Sequence, residues 1–153
     1  MTRENPTSEV RVGGINSRRV WIGGLLGFVA WAAWSAVTNM VVLGARYPAA
    51  AQAGQMLQEP RYRFFAVAWF AILLLLSWVA AWLYAGVRAT YGPGPGTAIK
   101  VGALLGFAAG FPMAFVLAAW ATFDRVFPLW WMLELWVGAV LAALVAGWTY
   151  RER

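Results

Sequence analysis

Cysteine and histidine are both absent from the 153 residues, and acids are scarce, with one Asp and five Glu in all. Without Cys there is no thiolate nucleophile and no disulfide. Without His there is no imidazole base, and the commonest nitrogen ligand for zinc, haem or a chlorophyll-type magnesium is missing. Only Glu134 lies inside a long apolar stretch, so no pair of carboxylates can be brought together there for acid–base work or a two-metal site. An enzyme acting on lipids would have to use Ser35 or Ser77 with no base at hand. The sequence therefore points away from an enzyme, and it supplies no catalytic residues, no metal site and no cofactor.

What the chain has instead is apolar surface. Hydrophobic residues make up 62% and charged residues 12%, where a soluble domain carries about 25% charged residues. Uncharged stretches run over 20–45, 64–87, 101–123 and 126–150, the last interrupted only by Glu134. Each exceeds the roughly 20 apolar residues needed to cross a bilayer. The expected fold is all-α, a membrane-spanning four-helix bundle: 1–17 as a flexible polar tail and 18–153 as the transmembrane domain.

Twelve basic residues against six acidic ones give a net charge of +6. They are spread over both tails and all three loops and form no stripe suited to nucleic acid; lipid headgroups are the better partner. With four spans both termini share a side. That side holds Arg3, Arg11, Arg18, Arg19, Arg88, Lys100, Arg151 and Arg153, against Arg46, Arg61, Arg63 and Arg125 opposite. Eight against four places both termini in the cytoplasm. The dominance of Arg over Lys and the abundance of Ala suit a GC-rich bacterial genome, hence a bacterial inner membrane.

Pro48 and Pro60 bracket an Ala/Gln-rich stretch of the longest outer loop, where a short helix is expected. The inner loop Tyr91-Gly92-Pro93-Gly94-Pro95-Gly96 is expected to be non-helical, with Thr97 capping the third span. It lacks the Lys-Ser/Thr ending of a phosphate-binding loop. Pro112 should kink the third span, and spans three and four should form a tight hairpin.

Residues 22–30 and 101–109 agree at six of nine positions. The ends of spans two and four echo one another more weakly at an offset of 61. The pattern suggests a duplicated two-helix hairpin related by an axis along the membrane normal. Gly23, Gly27, Gly102, Gly106, Gly110 and Gly138 recur at helical spacing, where missing side chains let helices approach within one chain or between subunits. The segment Tyr91-Gly92-Pro93-Gly94-Pro95-Gly96-Thr97 with Ile99-Lys100-Val101-Gly102-Ala103-Leu104-Leu105-Gly106 resembles uncharacterised small bacterial four-span membrane proteins, a resemblance that covers the second half of the chain and implies no function.

One set of polar residues stands out. An ionised Glu134 about seven residues inside its span costs on the order of 2–3 kcal/mol. Gly24, Gly27, Trp31, Trp34, Ser35 and Thr38 share one stripe of the first span, with Asn39 at its border. Thr38 and Asn39 lie about 10 Å from the outer end, in the layer of Glu134, so the three are expected to hydrogen-bond. Trp130 and Trp131 precede Glu134 on the same side of its helix. This set, Glu134, Asn39, Thr38, Ser35, Trp31, Trp34, Trp130 and Trp131, is the candidate binding site, for a hydrophobic cation or a proton. Its other reading is a satisfied buried acid beneath an aromatic belt. Among the eleven Trp, those at mid-membrane either fill the core or stack on an apolar ligand such as a quinone, carotenoid or lipid chain.

Two functions follow as expectations. One is a non-enzymatic inner-membrane scaffold or interaction subunit, acting through lipids, other membrane subunits or a second copy of itself. The other is a small oligomeric transporter or channel coupled to protons or cations through Glu134.

Overall fold

The computed structural model describes residues 14–150; the expected tail, 1–17, lies largely outside the described residues. Five α-helices follow one another: α1 (Ser17–Ala36), α2 (Arg46–Gln52), α3 (Phe65–Tyr91), α4 (Pro95–Trp120) and α5 (Val126–Thr149). A π-helical turn, Val37–Val42, continues α1 to its end. The chain is an all-α bundle and a multi-pass membrane protein. Its four long helices run 26, 27, 26 and 24 residues, about 36–40 Å each at 1.5 Å per residue, enough to cross a hydrocarbon core of about 30 Å.

Local chemistry sets the helix ends. The Asn16 side chain accepts the Arg19 N–H at 3.3 Å and opens α1. The Asp124 carboxylate does the same for Val126 at 3.0 Å and opens α5. The inner loop is shorter than expected. Gly92 and Gly94 take positive φ of 80° and 136°, a conformation glycine adopts without strain, and α4 then starts at Pro95. Proline suits a first helical position because its missing N–H would be unpaired there. Thr97 therefore sits inside the first turn, where its hydroxyl donates to the Gly92 carbonyl at 2.8 Å. The Tyr84 hydroxyl accepts the Gly94 N–H at 3.1 Å, tying the loop to α3. Pro112 lies inside α4 without ending it. The outer-loop helix begins at Arg46, two residues before Pro48, and ends at Gln52, well short of Pro60.

Neighbours in the bundle are α1 with α3, α3 with α4, α4 with α5 and α5 with α1; α3 and α5 also touch across the centre. Small residues bring the backbones together. A Cβ built on Gly102 would lie 2.5 Å from the Val140 Cα, and one on Gly106 would lie 2.6 Å from the Trp136 Cα. Gly110 meets Met132 and Leu135, Gly27 meets Ser77 and Ala142, and Gly23 meets Ala146 and Thr149. Gly138 has a different role, because its missing side chain makes room for the Trp31 indole. Large apolar side chains face outward: Leu104 is 72% exposed, Val67 75% and Trp120 86%. That inversion of the soluble pattern is what a hydrocarbon surround permits.

Gly106→Val should lower the thermal stability of the purified protein in detergent, by about 1–3 kcal/mol for overpacking. Gly86 faces open space, so Gly86→Ala should hold or raise stability, and equal losses from both variants would refute the close-approach account.

Candidate functional site

Glu134 occupies the third turn of α5 and is 1% exposed. α5 turns it toward α1, where the helical stripe presents Ser35, 3% exposed. The Ser35 hydroxyl donates to Glu134 Oε1. From α3 the Trp69 indole N–H donates to the same oxygen at 3.3 Å, with Ser35 Oγ a second acceptor at 3.4 Å. Asn39 Nδ2 donates to Glu134 Oε2 at 2.9 Å and to the Ser35 carbonyl at 3.0 Å. Three neutral donors from two helices thus surround a carboxylate presented by a third.

The π turn brings Asn39 there. Its backbone bonds reach one residue further than in an α-helix, as in Leu43 N–H to Thr38 carbonyl at 3.0 Å. Each residue then advances by less than the α-helical angle. Asn39 consequently falls directly over Ser35, and Thr38 rotates away. Thr38 is fully buried, yet its hydroxyl has no hydrogen-bond partner among the described residues, so it does not join the carboxylate.

The network continues outward. Asn39 Oδ1 accepts the Tyr47 hydroxyl at 2.7 Å, and the Tyr47 oxygen accepts the Trp131 indole N–H at 3.0 Å. Indole nitrogen only donates, and the Ser35 carbonyl, which only accepts, turns the Asn39 NH2 toward itself and Glu134, so that Oδ1 faces Tyr47 as an acceptor. Trp131 gives to Tyr47, Tyr47 to the amide oxygen of Asn39, and the amide nitrogen to Glu134. All bonds converge on the carboxylate as acceptor, an arrangement that suits its anionic form.

Glu134, Ser35 and Asn39 are thus brought together, and Trp131 joins them through Tyr47. Trp130 packs with Tyr47, Met56 and Phe123 around buried Leu43, Ala50 and Phe127 near the same end. Trp31 is fully buried against Gly138, Leu73, Ala139 and Ala142. Its indole N–H and that of Trp34 have no hydrogen-bond partner among the described residues. Sequence reasoning missed Trp69 and Tyr47. Both are donors placed near the outer ends of their segments, a signal available to anyone counting depth for every donor rather than for the first span alone. At the offsets of the apparent repeat, the counterparts of Glu134 and Ser35 are Leu73 and Ala114, both buried and apolar, so the polar site occurs in one half only.

Tyr47 lies outside the four spans, and its phenol is pushed above its ordinary value. Burial is the largest cause; the Trp131 hydrogen bond opposes it, and the nearby Glu134 charge adds to it. No protein-family model, curated protein or solved structure matches the chain.

Tyr47→Phe leaves Trp131 Nε1 and Asn39 Oδ1 without each other's bridge and should cost about 1–3 kcal/mol in thermal unfolding. Because the folded phenol ionises at higher pH than the unfolded one, its contribution is whole below about pH 10 and is lost as pH rises through the folded value. The thermal midpoint of the wild type should therefore fall at high pH by more than that of Tyr47→Phe; parallel alkaline profiles would contradict this.

Proposed function

We propose that this chain is a non-enzymatic subunit of a bacterial inner membrane, with both termini in the cytoplasm, that acts through contacts with lipids and other membrane proteins. The observation that carries the reading is the fully engaged Glu134 carboxylate. Donors from α1 and α3 occupy both of its oxygens. The acid then serves as an internal clamp that holds α1, α3 and α5 in one arrangement, and the outer surface is the working part. That surface includes a row on α4, where Phe107, Phe111 and Phe115 stack in series with centroids 4.8 and 6.1 Å apart. The excess of Lys and Arg beside the termini supports the orientation.

Extraction of the tagged chain in a gentle detergent should bring a specific membrane protein or a tightly held lipid with it. Recovery of this chain alone, free of both, would count against the scaffold reading.

A second reading, a proton- or cation-coupled transporter or channel, draws on a different observation. Trp31 Nε1, Trp34 Nε1 and Thr38 Oγ1 are buried without hydrogen-bond partners among the described residues, on the helix that carries Ser35. Unused donors at membrane depth are costly, and a passing species would give them partners. This reading expects proton-coupled flux in liposomes that Glu134→Gln abolishes; flux unchanged by that substitution, or no flux, removes it.

A further inference from the structure

We propose that the lipid-facing side of α4, together with Trp136 of α5, is a contact between two copies of this chain, in which the Trp136 indole N–H of each donates to the Ala108 carbonyl of the other. Self-association of this kind goes beyond the scaffold reading, which concerns lipids and other proteins. It stands on an unmatched acceptor and an unmatched donor in one layer of the membrane.

The acceptor comes from Pro112. In an α-helix the Ala108 carbonyl pairs with the N–H of residue 112, and proline has none. Between Val101 and Ala119 no side chain of α4 can donate in its place. Trp69, Ser77 and Trp78 of the adjoining α3 already give their hydrogens to Glu134, Gly24 and Trp21. The unpaired donors of α1 are buried across the bundle. Ala108 and Pro112 are both exposed, so the carbonyl faces hydrocarbon, which has no donor to give it.

The donor is Trp136. Its ring is half-buried and set edge-on to Phe107, with centroids 6.2 Å apart, and its N–H makes no hydrogen bond among the described residues. A Cβ on Gly106 would lie 2.6 Å from the Trp136 Cα, so the two helices are level there. Ala108 and Trp136 each lie about 20 Å along their helices from the end where α4 starts and α5 stops. Trp82, an exposed indole on α3, is more than a turn closer to that end and out of register with Ala108.

The two groups sit on opposite edges of one face. With Gly106 pointing at α5, steps of about 100° per residue put Phe107 at one edge, Leu104, Phe111 and Phe115 across the middle, and Ala108 with Pro112 at the other edge. Trp136 belongs to the Phe107 edge, because its ring packs there. Copies inserted in the same orientation are related by a two-fold axis along the membrane normal, which preserves depth and sets the Phe107 edge of each against the Ala108 edge of the other. Ala108 is the small residue of its edge, so an indole can reach the backbone. The pairing occurs twice, around a core of Leu104, Phe111 and Phe115 from both copies.

The absence of native cysteine allows single-site probes in the full chain. Leu104→Cys, near the axis, should form an inter-chain disulfide under mild oxidation in liposomes, and Leu75→Cys on the exposed side of α3 should not. Resonance energy transfer between copies labelled at Thr122→Cys, exposed in the α4–α5 loop, gives the dissociation constant as lipid dilutes the protein. Trp136→Phe keeps a ring against Phe107 but loses the N–H; Pro112→Ala restores the N–H that Ala108 lacks and is the better helix former. Each should weaken the dimer about tenfold, the equivalent of two transmembrane hydrogen bonds. Both remove the same bonds, so the double variant should be no weaker than either single one. A chain that stays monomeric at every dilution overturns the proposal and leaves the face to lipid or another protein. Cross-links at Leu75 in place of Leu104, a dimer that either substitution leaves as tight as before, or losses that add in the double variant overturn it too. If Trp136→Phe does not fold, Pro112→Ala and the Leu104 cross-link decide. Only this chain and lipid are present, so the result is separate from the search for a partner protein.

Discussion

Hydrocarbon offers no hydrogen bonds, so a carboxylate placed in the third turn of a membrane helix must find its donors inside the protein. Glu134 is the point at which this chain meets that constraint, and the surrounding architecture follows from it. α1 must bring Ser35 to the carboxylate, α3 must bring an indole N–H, and the last turns of α1 must widen so that Asn39 falls into line. Loss of one donor leaves the others bonded to a charge with unfilled acceptor sites, which is why such a network stands or falls together.

Packing makes the meeting possible. α4 and α5 approach through Gly102 and Gly106, where a methyl group would strike backbone atoms, and less tightly through Gly110. α5 and α1 approach through Gly27 and Ala142, and Gly138 makes room for the Trp31 indole one turn below the carboxylate. Between lipid-like side chains there is little hydrophobic drive, so close contact and hydrogen bonds carry helix association. Here both act on the same helix, α5, which touches all three of the other long helices.

Much of this was legible in the sequence, and the limits have physical causes. The spans were readable because charge is excluded from hydrocarbon, so stretches without Lys, Arg, Asp or Glu mark them directly. The site was half readable. A helical stripe with a count of depth points to Ser35 and Asn39, but depth alone puts Thr38 with the carboxylate too, because it carries no information on the angle at which a residue leaves the helix. The π turn at Val37–Val42 alters the angle just there, and no local residue announces it. Trp69 and Tyr47 depend on how α3 leans against α1 and on how the outer loop folds back, both tertiary facts. α4 starts earlier than the Gly-Pro run suggests, because such a run reads as loop although Pro95 is well suited to a first helical turn. The 1–17 tail lies largely beyond the described residues.

The central claim is that Glu134 is a hydrogen-bonded carboxylate held by neutral donors at membrane depth. Isotope-edited infrared spectroscopy of the protein in lipid, taken as the difference between wild type and Glu134→Gln at neutral pH, addresses that directly. The account predicts carboxylate stretching bands that vanish with the substitution, shifted as expected for an anion accepting several hydrogen bonds. A carbonyl band of a protonated acid free of hydrogen bonds would contradict it.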